Sequence, residues 1–134
     1  MKRLTNVIIA AILVIGITSA GQLKAQKSVP AENNKVRLAK ITVDPQQLDE
    51  YNAFLKEEIE VSMQLEPGVL MLYAIAEKEN PNKITILEIY ASEEAYQQHL
   101  KTPHFVKYKE GTPHMIQSLE LIDTTPLIPG LKIK

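Results

Sequence analysis

Between Val36 and Val43 the residues are mostly β-branched or aliphatic, which predicts a strand. The period then changes. Asp44-Pro45 offers a side-chain acceptor followed by a proline at the first helical position. Leu48, Tyr51, Leu55, Ile59 and Ser62 or Met63 recur at spacings of three and four, so a helix with one buried stripe follows. Asp49, Glu50, Lys56, Glu57 and Glu60 solvate most of its other side. Pro67-Gly68 ends it, because proline cannot continue a helix and glycine permits the reversal. Val69 to Glu77 and Lys83 to Ala91 read as two strands joined by the turn Glu79-Asn80-Pro81-Asn82, the signal of an antiparallel hairpin. Ser92 caps a helix carrying Ala95, Tyr96, His99 and Leu100, with Glu93 and Glu94 where the helix dipole favours negative charge. Thr102-Pro103 restarts the chain as a short helix from His104 to about Lys109, broken at Gly111-Thr112-Pro113. Ile116 to Asp123 is a last strand.

The order β-α-β-β-α-β predicts an α+β, ferredoxin-like sandwich. Its two strands from Val69 and Lys83 are apolar on both faces. One face of the first carries Val69, Met71, Tyr73 and Ile75, and the other Leu70, Leu72, Ala74 and Ala76. Helices cover one face of a four-stranded antiparallel sheet, and the free face is normally polar. A second apolar face therefore needs a cover, and the simplest is another copy of the sheet in a two-fold dimer.

The first twenty residues differ in kind. Lys2 and Arg3 precede an apolar run from Val7 to Ile17 and then the small residues Thr18, Ser19 and Ala20, the three-part pattern of an export signal. The run is short for a membrane anchor, which needs roughly 20 apolar residues. Cleavage near Ala20 or Ala25 would release an exported protein, periplasmic or secreted, with no stable membrane span. Residues 21–34 then form a polar flexible leader, 35–123 the domain, and 124–134, with Pro126 and Pro129, an extended tail. No cysteine is present, so the export signal carries no thiol for a lipid and the domain has no disulfide. The balance of 15 basic and 16 acidic side chains gives no polycationic surface for nucleic acid.

Candidate chemistry gathers between Ile84 and Phe105. Glu88 lies mid-strand on the face of Ile84, Ile86 and Tyr90, where a carboxylate needs a donor or a raised pKa. It is equally readable as a structural acceptor. His99 lies on the inner part of its helix, and His104 opens the next one. Pro103 breaks the helix between them, so both imidazoles can face one cavity, where an imidazole can take a proton near neutral pH. Packing or capping is the plainer role for each histidine, and Glu88 as an orienting carboxylate raises the case for His99. Tyr73, Tyr90, Tyr96, Tyr108, Phe54 and Phe105 offer aromatic walls, although helix-spaced aromatics are more often plain core. With His99, His104 and His114 there is no close ligand pair and no cysteine, so no metal site is expected. Nucleophile elbows, phosphate loops and nucleotide fingerprints are absent.

The segment Leu87-Glu88-Ile89-Tyr90, then Ser92 to Tyr96, then His99-Leu100-Lys101-Thr102-Pro103-His104-Phe105 resembles the hallmark of the antibiotic biosynthesis monooxygenase superfamily, in particular its quinol-monooxygenase-like members. Pro67-Gly68 also fits, and the resemblance covers roughly residues 36–123. It implies a dimeric α+β barrel, a cavity between sheet and helices in each subunit, and oxidation of a small aromatic quinol or phenol by dioxygen without metal, flavin or other cofactor. On that resemblance His99 or His104 is the base, Glu88 its partner, and Tyr73, Tyr90, Tyr96, Phe105 and Tyr108 the substrate-binding walls. The haem-degrading branch uses a tryptophan, an asparagine and a histidine ligand; this chain has no tryptophan, and Lys109 stands where that histidine would fall. A branch that isomerises a phosphorylated sugar derivative in the cytoplasm has a similar histidine segment, and export argues against its substrate. A non-catalytic, exported small-molecule-binding or stress-associated module stays open beside these.

Overall fold

The computed structural model describes residues 33–130; the segment expected to be an export signal, all but the end of the expected leader and the last four residues of the chain lie outside that range. The elements are β1 (Lys35–Val43), α1 (Leu48–Leu65), β2 (Val69–Ala76), β3 (Lys83–Tyr90), α2 (Glu93–His99), α3 (Pro103–Gly111) and β4 (Ile116–Thr124). The four strands form one antiparallel sheet in the order β2-β3-β1-β4, so β1 and β2 flank β3 and the chain crosses between them through α1. This is the ferredoxin-like arrangement that the element order predicts. Among the described residues no helix is long and apolar enough to cross a membrane.

Each expected boundary has its device. Asp44 accepts a hydrogen bond from the Gln46 amide at 3.0 Å, but Pro45–Gln47 forms a 3-10 turn before the α-helix begins at Leu48. Ser92 caps α2 through the Ala95 amide at 3.1 Å, and Thr102 caps α3 through the Phe105 amide. The Asn82 side chain donates to the Val43 carbonyl at 2.9 Å, so the hairpin turn is also tied to the end of β1.

Register decides which residues meet the helices. On β1, Arg37, Ala39 and Ile41 oppose Glu88, Ile86 and Ile84 of β3. Of these inner-face residues Ala39, Ile41, Ile84 and Ile86 pack with Val43, Tyr51, Leu55 and Met115 in the core. The outer face carries Leu38 opposite Leu87, and Tyr73 opposite the same Leu87 from the other side. One expected face is corrected at the start of β2. The register steps from Val69↔Tyr90 to Met71↔Ile89, so a bulge at Leu70 gives β2 one extra residue. Val69 is consequently buried opposite Tyr90, not aligned with Met71 and Tyr73 on the outer face.

Gly68 marks the close approach of the α1–β2 link to α2. A Cβ there would lie 2.7 Å from the Ala95 Cβ, and an alanine methyl has no torsion by which to step aside. Gly68→Ala is expected to cost about 1–3 kcal/mol through overpacking, read as a lowered Tm. Gly130→Ala, which would meet nothing within 4 Å, is the control. Equal melting temperatures for the two variants would show that Gly68 is not a packing constraint.

Candidate active site

Proline positions the carboxylate at the centre of the site. Residues before proline are driven out of the helical region, and Glu66, ahead of Pro67, adopts an extended conformation (φ −106°, ψ 100°) just beyond α1. Its side chain turns to the junction of α2 and α3. There His99 closes α2, and Thr102-Pro103 starts α3 with His104 in its first turn. The Thr102 hydroxyl donates to the His99 carbonyl at 2.8 Å, bracing the joint.

The two imidazoles converge on this one group. His99 Nδ1 lies 3.0 and 3.2 Å from the two Glu66 oxygens, and His104 Nε2 lies 2.5 Å from Oε1. Burial pushes the Glu66 carboxyl up, but the hydrogen bonds from His104 and His99 outweigh it and hold the group below the usual carboxylate range. An ionised carboxylate only accepts, so both histidine nitrogens facing it carry protons. In neutral His99 that assignment leaves Nε2 as the acceptor.

Only 2% of His99 is exposed, and its ring lines a cavity of about 500 Å³ between the inner sheet face and the helices. Glu58 Oε1 stands 3.5 Å from Nε2, and the Ser62 hydroxyl donates to that carboxyl at 2.8 Å. Burial pushes Glu58 up, against the opposing pull of the Ser62 hydrogen bond and the histidines. His99 is thus flanked by carboxyl groups at both nitrogens, Glu66 at Nδ1 and Glu58 at Nε2.

The cavity walls combine Ile41, Leu55, Ile86 and Phe105 with a polar set of Arg37, Glu88, Tyr90 and Tyr96. Tyr90 donates to Glu88 Oε2 at 3.1 Å. Burial pushes the Glu88 carboxyl up, partly offset by Arg37 and by that hydrogen bond. Burial, with Glu88 nearby, also pushes the Tyr90 phenol up. Tyr108 lines the cavity and shares a 2.6 Å hydrogen bond with the buried Tyr51.

Of the residues singled out from sequence, Glu88, His99, Tyr90, Tyr96, Phe105 and Tyr108 line this cavity. His104 does not; it stands behind His99, on the far side of Glu66. Tyr73 does not either, because alternation along β2 puts it on the outer face, 63% exposed. The carboxylate behind His99 is Glu66 and not Glu88, whose side-chain hydrogen bond goes to Tyr90. Glu58, Glu66 and Arg37 are the residues that sequence reading missed. The one signal for Glu66 was its place before proline; Glu58 lies on the buried side of α1, a helix so rich in acids that residue type alone does not single it out.

Glu66, His99 and His104 also place three potential ligand atoms within 4.8 Å of one another. Tetrahedral N/O ligands at the usual zinc distances are roughly 3.3 Å apart. The 2.5 Å separation of His104 Nε2 and Glu66 Oε1 is too short for two such ligands and suits a hydrogen bond. The set therefore fits a metal poorly.

The model of the antibiotic biosynthesis monooxygenase family matches residues 36–111. A crystal structure from Bacteroides thetaiotaomicron VPI-5482, described as that of a candidate antibiotic biosynthesis monooxygenase, is 73% identical over 78% of this chain and 99% of its own, with a TM-score of 0.77. A candidate monooxygenase from Lactobacillus acidophilus NCFM is 34% identical over 69% of this chain and 44% of its own, with a TM-score of 0.67. A Nitrosomonas europaea structure at 15% identity and a TM-score of 0.68, covering 73% of this chain and 94% of its own, shares the fold. No curated protein matches.

Replacing Glu66 tests the hydrogen-bonded cluster. Its folded-state pKa lies below the usual value, so the stability it contributes is complete above the ordinary carboxylate range and is lost as pH falls through the folded value. Glu66→Gln, which must turn an N–H₂ toward one histidine, is expected to cost about 1–3 kcal/mol near pH 7. In urea unfolding the gap between variant and wild type should close below about pH 4. A gap of constant size from acid to neutral pH would refute an ionised Glu66.

Proposed function

This chain belongs to the antibiotic biosynthesis monooxygenase family, and from that premise we propose that it oxidises a small aromatic quinol or phenol with dioxygen, using His99 as the base. The observation that carries this reading is the pairing of His99 with Glu66 at one nitrogen and with the cavity on the ring's other side. His99 Nε2 takes the proton of an aryl hydroxyl, and the imidazolium is held between Glu66 and Glu58. The remaining anion is rich enough in electrons to react with dioxygen. One oxygen atom enters the product and the other leaves as water, with the substrate supplying the two electrons and two hydrogens. The residues reach this chemistry through positioning and electrostatics, in a volume typical of small-molecule sites.

Tyr73 and Ile75 are 63% and 54% exposed on the outer sheet face, beside Leu87 and Met71. We assign this face to a second copy of the chain, which would close two sheets into an α+β barrel. The basic, apolar and small-residue pattern of the first twenty residues supports export.

Oxygen uptake with a panel of hydroquinones tests the reaction. His99→Ala is expected to lower kcat by about 10²–10⁴-fold, the usual worth of a general base. His104→Ala, removed from the cavity, should cost much less. If no hydroquinone consumes oxygen, the reaction assigned is wrong; turnover unaffected by His99→Ala would remove the base. Sedimentation gives an independent check on assembly: a dimer is expected at micromolar concentration, converted toward monomer by Tyr73→Glu, and a wild-type monomer would overturn it.

A further inference from the structure

Arg37 is a cation built into the inner face of the sheet. It pairs in register with Glu88 of β3 and Asp123 of β4, lies among Ala39 and Ile41, and is only 8% exposed. Nη1 donates to the Tyr96 hydroxyl, and the guanidinium lies 4.9 Å from the centre of the same ring. Nε is closed to solvent and has no hydrogen-bond acceptor. The nearest carboxylate oxygens, on Glu88 and Asp123, are both 3.8 Å from it, beyond hydrogen-bonding distance. Asp123 is largely exposed and shared with Lys35 at 3.5 Å, so it screens the charge poorly. Glu88 receives the Tyr90 hydroxyl instead, and burial raises its carboxyl toward the neutral form.

A guanidinium carries its charge through the working pH range and has five N–H donors. Keeping one buried with its Nε unanswered is costly, and the side chain lines the cavity. Tyr96 lines it too; accepting from Arg37, its hydroxyl keeps its own proton to donate. Two donors in series at one polar patch, in a site walled with apolar groups, match what stabilises an oxyanion.

We propose that Arg37, assisted by the Tyr96 hydroxyl, is the anion anchor of this cavity, and that its ligands are acidic hydroxyarenes bound in the ionised, aryl-oxide form. In its ligand class this rests on the quinol reading above, but it does not require oxidation. Charge in an aryl oxide spreads through the ring, so the oxygen that meets Arg37 can differ from the one that gives its proton to His99. The groups facing the anchor are Glu88 and Tyr90 from β3, Tyr96 from α2, Asp123 from β4 and Lys35 from β1.

4-Nitrophenol reports its own ionisation by colour and is the probe. In the wild-type protein its apparent pKa should fall by about one unit or more on binding, as expected for an acid near an opposite charge. It should also bind about tenfold more tightly than its methyl ether, 4-nitroanisole, at slightly alkaline pH. Arg37→Met should return the bound probe to its pKa in water or above, while Arg37→Lys keeps part of the shift. If Arg37→Met fails to fold by circular dichroism, Tyr96→Phe takes its place and should shrink the shift. A wild-type protein that leaves the probe's pKa unchanged or raised, that binds neither compound, or whose shift survives Arg37→Met overturns the proposal. A clear shift without oxygen uptake by any hydroquinone would sink the oxidation and leave the anchor standing. Oxygen uptake with an unshifted probe would do the reverse.

Discussion

A single ionised carboxylate with two imidazole donors sets the geometry on which the rest of the site depends. Glu66 sits where α1 must stop, because Pro67 excludes the helical conformation from the residue before it. Its two partners sit where α2 must stop and α3 must start, because Pro103 interrupts them. Three chain breaks are thereby locked to one group. The chemical result follows from proton counting. A carboxylate can only accept, so it claims the Nδ1 proton of His99 and leaves the lone pair to the opposite nitrogen.

The cavity works because its two kinds of wall are separated. Apolar residues from α1, α3 and the inner face of β1 and β3 make up most of the wall, and a low-polarity surround strengthens the few polar groups set in it. Those polar groups come chiefly from paired positions: Arg37 and Glu88 face each other across the β1–β3 ladder. One strand register therefore delivers both charges to the same patch. A slip of β1 by one residue would send Arg37 to the outer face with Ala39 and Ile41 and leave Glu88 without its partner.

The outer face obeys the same alternation. Inner positions of β2, such as Leu72 and Ala74, turn toward the helices, so Tyr73 and Ile75 between them must turn away. Charge on this face comes from Lys40 and Glu120, paired across β1 and β4, so the apolar run is centred on β2 and β3. A bulge at Leu70 limits it on one side, since Val69 turns inward to pack opposite Tyr90.

Much of the fold was legible in the residue pattern because it depends on local rules. Period and proline placement located the elements to within a few residues, and alternation put Glu88 on the inner face with Ile84, Ile86 and Tyr90. The same rules marked out His99 and the aromatic residues around it. Long-range pairing is a different kind of information. That Glu66 meets two histidines more than thirty positions away, that Glu58 turns inward from an acidic helix, and that Arg37 is buried beside Tyr96 each require the packing of separate elements. A carboxylate written into the sequence has the same composition whether it solvates a helix or holds an imidazole. Only the tertiary structure, by choosing what faces it and how much water reaches it, decides which of the two it becomes.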